Sequence, residues 1–245
     1  MKISIIIATW NAAKTLRTCL DSIVPQLNND VELILVDGGS KDETNEIIDS
    51  YGDKVSVHIS EPDKGIYDAW NKGVKVAKGD WVMFVGADDC LSQDAIDNYL
   101  KFIKNVPIDT DFISSNVNYI DEKGKMLDIT GKLWNYNRCR INMDVTHVAS
   151  LTNKNYFNRV GVFNTKYKIV GDYELLMRGG KDLKAAFMDK IVATMTIGGA
   201  SFSVKGLKEQ FKVKRKVARM PLLICVGIFL FQLFLFYTYK LRHKK

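Results

Sequence analysis

The sequence has few cysteines, and none of them lies close in the chain to another cysteine. Its 245 residues include four cysteines and three histidines, with no CxxC pair and no cluster of the two residue types. Zinc sites and disulfide frameworks need closely spaced ligands or paired cysteines, so neither is indicated. Such a pattern is typical of a protein in a reducing compartment.

Glycine-rich phosphate loops and the pattern of a secretion signal are also missing. Neither GxGxxG nor GxxxxGK[ST] occurs, so a dinucleotide-binding fold or a P-loop would lack its phosphate-binding loop. The apolar run from Ile3 to Ala8 is too short for a signal peptide, and no small-residue cleavage site follows it. We therefore expect the catalytic part of the chain in the cytoplasm.

Excess positive charge is confined to the C-terminal part of the chain. The formal net charge is +7, yet residues 205–245 contain eleven Lys or Arg residues and one acidic residue, Glu209, which gives this part +10. Residues 1–204 therefore carry −3. A nucleic-acid-binding domain would need a basic face on its folded part, so we expect no nucleic-acid partner.

A stretch of nineteen uncharged residues at 221–239 predicts a membrane helix. As a helix it would be about 28 Å long, close to the ~30 Å hydrocarbon thickness of a bilayer. We expect a catalytic domain at 1–204, a basic juxtamembrane segment at 205–220 that suits anionic lipids, and a basic tail at 240–245. The alternative is a buried C-terminal helix of a soluble domain, and the sequence leaves open whether the helix crosses the bilayer or lies in one leaflet.

The first hundred residues alternate between apolar strands and helical segments. The predicted strands are residues 2–8, 31–37, 54–60 and 80–86, and the predicted helices are residues 12–27, 42–51, 66–78 and 92–104. Near-continuous apolar strands are typical of a buried parallel sheet, so the rhythm predicts an α/β domain with right-handed crossovers. In the less regular second half we expect a hairpin around 121–125, a loop at 133–143, a strand at 146–153, a helix at 169–180 and closing strands at 184–199.

Polar residues follow each of the predicted parallel strands, where ligands bind in open α/β sheets. The last of these strands runs directly into two adjacent carboxylates, Asp88 and Asp89. Adjacent carboxylates repel each other, and a hard divalent ion such as Mg²⁺ or Mn²⁺, bound through them and through substrate phosphates, would relieve that repulsion. The alternative is that the pair caps a helix beginning near residues 91–94.

Four further segments stand in a characteristic order along the chain. They are ISIIIATWNAAKTLRTCLDSI, ELILVDGGSKDET, EPDKGIYDAWNKGVKVAKGDWVMFVGADD and GDYELLMR. In order and spacing they resemble the family 2 glycosyltransferases over about residues 2–200. The resemblance implies the nucleotide-diphosphosugar-binding GT-A fold, with a mostly parallel central sheet and flanking helices. The chain is most similar to small enzymes of O-antigen, lipopolysaccharide, capsule and colanic-acid-type polysaccharide assembly.

The resemblance also implies a donor site on the first half of the chain. Thr9, Trp10 and Asn11 fall in the loop that receives the nucleotide base, where Trp10 would stack on it. Asp37 matches the carboxylate that hydrogen-bonds uracil, which implies a UDP-sugar donor. Three more residues fall in the segment that lines the nucleotide-sugar pocket: Lys64, Asp68 and Asn71.

Asp88 and Asp89 match the metal motif of the family, often written DxD. Gly86 stands where the family has an acidic residue or Asn, so Asp89 is the expected direct ligand, with Asp88 nearer the ribose or the sugar. The cofactor implied is Mn²⁺ or Mg²⁺.

On the acceptor side, Asp172 matches the general base that removes the proton from the acceptor hydroxyl. It could instead be the N-cap of a helix at 173–179. Glu174 is a second candidate base, although it could pair with Arg178 one helical turn later. His147 and Arg138 are candidates for contact with the acceptor or diphosphate, or else an ordinary core histidine and a surface-loop arginine.

The resemblance implies an inverting, metal-dependent hexosyltransferase with a UDP-sugar donor. The resemblance and the basic, apolar tail together imply an undecaprenyl-diphosphate-linked saccharide acceptor, membrane lipids as partners and a location at the cytoplasmic face of the bacterial inner membrane. The alternatives are a polyprenyl-monophosphate glycosyltransferase, a nucleotidyltransferase and a non-catalytic membrane scaffold.

Overall fold

The computed structural model describes residues 2–121, 123–196 and 202–242. The strands are β1 Ile3–Thr9, β2 Val31–Asp37, β3 Val57–Ser60, β4 Trp81–Gly86, β5 Cys90–Leu91, β6 Phe112–Ile120, β7 Met126–Thr130, β8 Leu151–Asn153 and β9 Ala185–Thr196. The α-helices are α1 Leu16–Ile23, α2 Thr44–Asp49, α3 Ile66–Val76, α4 Ala95–Ile103, α5 Tyr136–Cys139, α6 Lys154–Val160, α7 Gly171–Gly179, α8 Val204–Lys216 and α9 Leu222–Arg242.

All nine strands belong to one sheet with the order β3-β2-β1-β4-β8-β6-β9-β5, and β7 pairs with β6 outside this path. The α/β fold is confirmed, and the first four strands pair in parallel as the sequence predicts. Among the described strands of the second half, β6 and β9 are parallel, whereas β8, β5 and β7 pair antiparallel with their neighbours. The sheet is therefore mixed, and its parallel part is the half that carries the strand-end motifs.

The first strand shows why its apolar run is continuous rather than alternating. Ile3, Ile5 and Ile7 pack into one hydrophobic cluster with α1 and α4, whereas Ile6 packs into the other with α3 and α7. Successive side chains of a strand point to opposite faces, so a strand covered on both faces must be apolar at nearly every position. Both faces of the parallel half are covered in this way.

Several predicted segments of the second half have different bounds. The hairpin at 121–125 is confirmed as β6 and β7, and the helix at 169–180 as α7. The expected strand at 146–153 is only Leu151–Asn153, because the chain turns at residues 148–149 just before it. Within the loop expected at 133–143 lies the short helix α5. The closing strands are a single strand, β9, as far as Thr196, and positions 197–199 lie outside the described residues.

The C-terminal part forms two consecutive helices that lie against each other and against the domain. Helix α8 covers most of the segment expected at 205–220, and it contacts both α7 and α9. Residues 222–241 of α9 have a mean hydropathy of 2.1, and only 11% of the most apolar window is buried. A core helix would be mostly buried, so the soluble-core alternative for this segment is wrong. The boundary at 204 stays a prediction, and positions 243–245 lie outside the described residues.

Helix α3, which begins beside the strand-end loops, lies against β1 at a glycine. A Cβ placed on Gly73 would lie 2.5 Å from Cγ2 of Ile6, far inside normal contact distance. Ile6 itself is completely buried, so it has little room to move. Glycine at this position therefore lets the helix approach the sheet.

We expect Gly73→Ala to lower the free energy of unfolding by about 1–2 kcal/mol, because overpacking outweighs the helix-propensity gain of alanine. Urea denaturation of the detergent-solubilised chain would measure the change. Lys75→Ala, at an exposed position of the same helix, is the matched control and should change stability by less than about 0.5 kcal/mol. A Gly73→Ala variant as stable as the parent would contradict the close packing.

Candidate active site

The carboxyl ends of the parallel strands lie side by side in register. Ser60 is the partner of Asp37, Asp37 is the partner of Thr9, and Ala8 is the partner of Gly86. The polar residues that follow these four strands consequently meet at one edge of the sheet, where the sequence analysis expects a ligand.

The buried carboxylate of Asp37 organises the loops at this edge. Its two oxygens accept six hydrogen bonds, from the side chains of Thr9, Ser40, Asn45 and Ser60 and from the backbone of Gly39 and Ser40. Burial alone would raise the pKa of Asp37, but these hydrogen bonds outweigh it and lower the pKa below its ordinary value. The predicted contact with uracil stays a prediction, and it would require Asp37 to release part of this network.

A cleft of about 500 Å³ opens beside Asp37, between the loops after β1, β2 and β3. Its lining residues are Ala8, Thr9, Trp10, Gly38, Asp63, Gly65 and Ile66. Trp10 is 70% exposed, so a face of its indole is open to a planar ligand. Asn11 instead fixes the loop: its backbone φ is 49°, its N–H donates to Ser40, and its side chain accepts from the backbone of Lys41.

The segment after β3 contributes a residue that the sequence analysis missed as a site candidate. Asp63 lines the cleft, and its Oδ2 would lie 2.5 Å from a Cβ at position 38, so a side chain there would displace this carboxylate. The exposed Lys64 follows it, and Asp68 accepts a hydrogen bond from the Lys64 backbone. Asn71, in contrast, bonds both backbone groups of Phe163 at 2.9 Å and does not line the cleft.

Asp88 and Asp89 fold back over the end of β4. Asp88 is exposed, whereas Asp89 is buried and accepts a hydrogen bond of 3.1 Å from the backbone of Gly86. A Cβ on Gly86 would lie 2.6 Å from Oδ2 of Asp89 and 2.9 Å from Oδ1 of Asp88. The departure from the acidic residue of the family motif therefore has a steric reason. Any side chain at position 86 would displace both carboxylates.

The helix-capping alternative for this acidic pair is wrong. The pair is followed by strand β5 at Cys90–Leu91, and the next helix begins at Ala95 with Asp94 as its N-cap. Burial, and then the neighbouring charge of Asp88, raise the pKa of Asp89 to about 7. Within the described ranges no lysine or arginine forms an ion pair with either carboxylate, so the repulsion between them is not neutralised by the protein.

This acidic pair fits a divalent cation as a partner. The part of the chain that the structure describes contains no group of three or more His, Cys, Asp or Glu residues able to hold a metal ion. Two carboxylates leave most coordination positions to phosphate oxygens and water, which is the ligand set that Mg²⁺ usually has in phosphate-binding sites. The two carboxylates therefore suit a metal ion that binds together with a diphosphate, rather than an ion enclosed by protein ligands.

A second cleft, of about 240 Å³, lies between β6, β9, α7 and α8. Its lining includes Tyr119, Thr146, His147, Asp172, Met195 and Gln210. Helix α7 begins at Gly171 after Val170, so Asp172 lies inside the first turn and is not the N-cap. The hydroxyl of Tyr67 lies 3.1 Å from Oδ1 of Asp172 and 2.8 Å from the carbonyl of Ile169, and these two acceptors share its single hydrogen.

Glu209 of α8 fixes the segment immediately before Asp172. Its carboxylate accepts hydrogen bonds from three consecutive backbone N–H groups, those of Lys168, Ile169 and Val170. Neither Glu209 nor Tyr67 was a candidate site residue in the sequence, because each acts through contacts with residues about 40 or 105 positions away. Together they position the carboxylate of Asp172 at the cleft.

Strand β9 connects this second cleft with the acidic pair. Cys90 pairs with Thr194 of β9, and the next residue, Met195, pairs with Tyr119 of β6. Burial raises the pKa of Tyr119, and the negative charges of Asp89 and Asp172 raise it further, in that order. Tyr119, which lines the second cleft, therefore lies within electrostatic range of both carboxylates.

His147 is enclosed by aromatic rings. It stacks on Trp70 and Phe84 with ring centroids 5.4 Å away, and burial lowers its pKa although Asp172 acts in the opposite direction. Its Nε2 is buried and has no hydrogen-bond partner among the described atoms. The histidine lies in the turn before β8, at the wall of the Asp172 cleft.

The structure does not bring Glu174 or Arg138 to this cleft. The carboxylate of Glu174 is buried against Arg178 at 3.0 Å, so the pairing expected from their spacing is confirmed. Arg138 is held by Asp144 at 2.6 Å and by the carbonyl of Leu133. Both side chains stabilise the surrounding loops, and their contact with an acceptor or a diphosphate stays a prediction.

Taken together, a half-parallel sheet with a cleft at its strand ends and an acidic pair after β4 are typical of a GT-A-type sugar-transferring enzyme. The "Glycosyl transferase family 2" model matches residues 4–163. A "PGL/p-HBAD biosynthesis glycosyltransferase" of Mycobacterium tuberculosis is 34% identical over 236 residues, which cover 92% of this chain and 86% of that relative. The chain belongs to glycosyltransferase family 2, and it is a glycosyltransferase.

Solved structures share the fold at low sequence identity. TarS of S. aureus in complex with UDP-GlcNAc has a TM-score of 0.71 at 18% identity, over 94% of this chain and 70% of that chain. A mannosyltransferase from Pyrobaculum calidifontis in complex with GDP-Man and Mn²⁺ has a TM-score of 0.66 at 15% identity, over 90% and 65%. These similarities confirm the GT-A fold.

We expect Gly86→Ala to lower transfer activity by about 10²-fold, because the added methyl group displaces the carboxylates of Asp88 and Asp89. Initial rates of nucleotide release would measure it, with circular dichroism to check the fold. Gly227→Ala is the matched control, since it adds the same methyl group where nothing lies within 4 Å. Unchanged activity in Gly86→Ala would mean that the position of these carboxylates is unimportant.

Proposed function

We propose that the chain is an inverting glycosyltransferase that moves a sugar from a UDP-sugar to a hydroxyl group of a lipid-linked saccharide. The observation that supports this proposal is the pairing of β9, which joins the strand that follows Asp89 to the strand that carries Tyr119 into the Asp172 cleft. Inverting transfer needs a proton acceptor on one face of the sugar and stabilisation of the departing diphosphate on the other.

The donor would bind in the cleft beside Asp37. Trp10 offers an open aromatic face for the base, while Asp63 and the backbone of Gly38 line the same space. The TarS complexes contain UDP and UDP-GlcNAc, and the mannosyltransferase complex contains GDP-Man, so both kinds of nucleotide occur on this fold. The match of Asp37 to the uracil-binding carboxylate of the family favours UDP.

Asp172 would act as the general base. Its carboxylate lies in the first turn of α7, and the Tyr67 hydroxyl bonds only Oδ1. Glu209 holds the preceding backbone, which limits movement of the carboxylate when an acceptor enters. One oxygen of Asp172 would thus accept the acceptor proton while the other stays oriented by Tyr67.

Asp89, together with Asp88, would hold Mg²⁺ or Mn²⁺ with the donor diphosphate. When bound, such an ion neutralises the negative charge that develops on the leaving group. The unneutralised repulsion between the two carboxylates supports this assignment.

The acceptor would be an undecaprenyl-diphosphate-linked saccharide, reached at the cytoplasmic face of the inner membrane through the apolar helix α9. The name of the mycobacterial relative places that protein in PGL/p-HBAD biosynthesis, whereas the sequence motifs favour O-antigen, lipopolysaccharide or capsule assembly. Family membership argues against the nucleotidyltransferase and the scaffold.

Product analysis with a synthetic lipid-diphosphate-linked GlcNAc acceptor would separate our proposal from a polyprenyl-monophosphate glycosyltransferase, whose product is a lipid monophosphate sugar.

Asp172→Asn should lower turnover by at least about 10²-fold, because the amide cannot accept the acceptor proton. UDP binding, measured by calorimetry, should stay within a few-fold of the parent. Asp97→Asn is the matched control, since Asp97 also lies in the first turn of a helix but is exposed and paired with Lys101. An equal loss of UDP binding in Asp172→Asn would indicate a structural role and count against the assignment.

Treatment with EDTA should abolish transfer, and excess Mn²⁺ or Mg²⁺ should restore it, because the acidic pair binds the donor diphosphate through the ion. Asp89→Asn should raise the metal concentration needed for half-maximal activity. The measurement is UDP release over a metal titration, with EDTA presaturated with Mg²⁺ as the control. Full activity in the free chelator would rule out the metal requirement.

A further inference from the structure

The two C-terminal helices, α8 with 13 residues and α9 with 21, form an antiparallel hairpin. Phe229 packs against Phe211 of α8 with ring centroids 5.8 Å apart, and Gln232 donates to Gln210 at 3.4 Å. Further along, Phe236 packs against Phe202, just before α8 begins, at 5.1 Å. Helix α8 thus lies along the first part of α9, as far as about Gln232, and Phe202 extends the contact to Phe236.

The inner face of α8 is fixed to the catalytic domain. Glu209 binds the backbone before α7, Gln210 lines the Asp172 cleft, and Lys214 is buried with its ammonium 5.7 Å from the ring centroid of Tyr173. Burial lowers the pKa of Lys214 to about 8. Helix α8 cannot leave the domain surface without breaking these contacts, so α9 is held alongside the domain as well.

The outer face of α8 carries a row of exposed cations. They recur at intervals of three or four residues on one side of the helix: Lys205, Lys208, Lys212, Arg215 and Lys216. Lys208 lies three residues before Phe211 and Arg215 lies four residues after it, so both are neighbours of Phe211 on the helix surface. Phe211 contacts α9. The cations therefore border the exposed surface of α9 on the side away from the domain.

Helix α9 turns a continuous apolar face outward. Its inward stripe consists of Cys225, Phe229, Gln232 and Phe236, which contact α8 and the domain. On the opposite side Leu223 is 84%, Leu230 58%, Phe234 63%, Tyr237 53% and Leu241 69% exposed. An apolar face of this length next to a row of cations is complementary to an anionic bilayer surface.

We propose that α8 and α9 form an in-plane membrane-docking hairpin: α9 lies in one leaflet with its outward face among the acyl chains, and the α8 cations bind anionic headgroups. Crossing of the bilayer by α9 would carry the paired α8, with its exposed cations, to hydrocarbon depth, where charged side chains are strongly disfavoured. When the hairpin lies in the plane of the membrane, the apolar face of α9 contacts acyl chains and the cations of α8 contact headgroups. The proposal concerns topology and does not depend on the proposed donor or acceptor.

Depth measurements along α9 test the proposal directly. A nitroxide side chain would be introduced singly at Leu223, Leu230 and Tyr237, which lie seven residues apart on the outward face, in the full-length chain bound to vesicles containing phosphatidylglycerol. The unsubstituted chain gives the background from its own cysteines. We expect similar depths at the three positions. A deep value at Leu230 between two shallow ends would indicate a spanning helix and overturn the proposal.

Terminal tags give an independent readout of topology. In inverted inner-membrane vesicles, tags at both ends of the chain should be cleaved by added protease without detergent, because both ends stay on the cytoplasmic side. A C-terminal tag that is protected until detergent is added would overturn the proposal. So would cross-links between Leu230→Cys positions of two chains, because a second copy would then cover the outward face.

The cationic row has its own test in vesicle binding. Replacing Lys208, Lys212 and Lys216 by Gln should weaken partition to vesicles with 30 mol% phosphatidylglycerol by about a hundredfold. The matched control removes three exposed lysines elsewhere, at Lys54, Lys75 and Lys104, and should leave the partition within about threefold. Equal effects of the two triple variants would show that net charge alone acts, and would overturn the role of the row.

Discussion

Strand β9 determines whether this molecule has one active site or two unrelated acidic surfaces. It pairs with β5, which directly follows Asp89, and with β6, which carries Tyr119 into the Asp172 cleft. Neighbouring strands lie about 4.8 Å apart, so this pairing keeps the strand that follows Asp89 close to the strand that lines the Asp172 cleft. The acidic pair and the Asp172 cleft are built by different parts of the chain, and the hydrogen bonds of β9 join these parts.

The parallel half of the sheet and its strand-end residues could be predicted from the sequence. Runs such as residues 31–37 are apolar at nearly every position because both of their faces are buried, and that pattern is local. The antiparallel half was less predictable. Its strands are short, as in Leu151–Asn153, or lie at an edge with exposed side chains, as in Met126–Thr130, so their composition carries little periodic signal.

The residues that position the site were missed for a related reason. Asp172 and Asp89 could be found because they belong to motifs, whereas Tyr67 and Glu209 act only through contacts formed on folding. The sequence did contain one indirect signal, which concerns the placement of the acidic pair rather than Tyr67 or Glu209. Gly86 departs from the family motif, and a glycine between a buried strand and two carboxylates is expected where side chains fold back over the backbone.

Helix α8 joins the membrane-facing side of the molecule to the acceptor side of the site. Two adjacent residues have these roles: Glu209 binds the backbone that leads to Asp172, and Gln210 lines the same cleft while it accepts a hydrogen bond from Gln232 of α9. A displacement of α9 must therefore move α8 or break that bond, and a displacement of α8 must move the base. In the proposed docked state, lipid would restrain α9, so the membrane that would present the acceptor would also restrain the carboxylate that would deprotonate it. For this reason the hairpin is better regarded as part of the active-site framework than as a separable anchor.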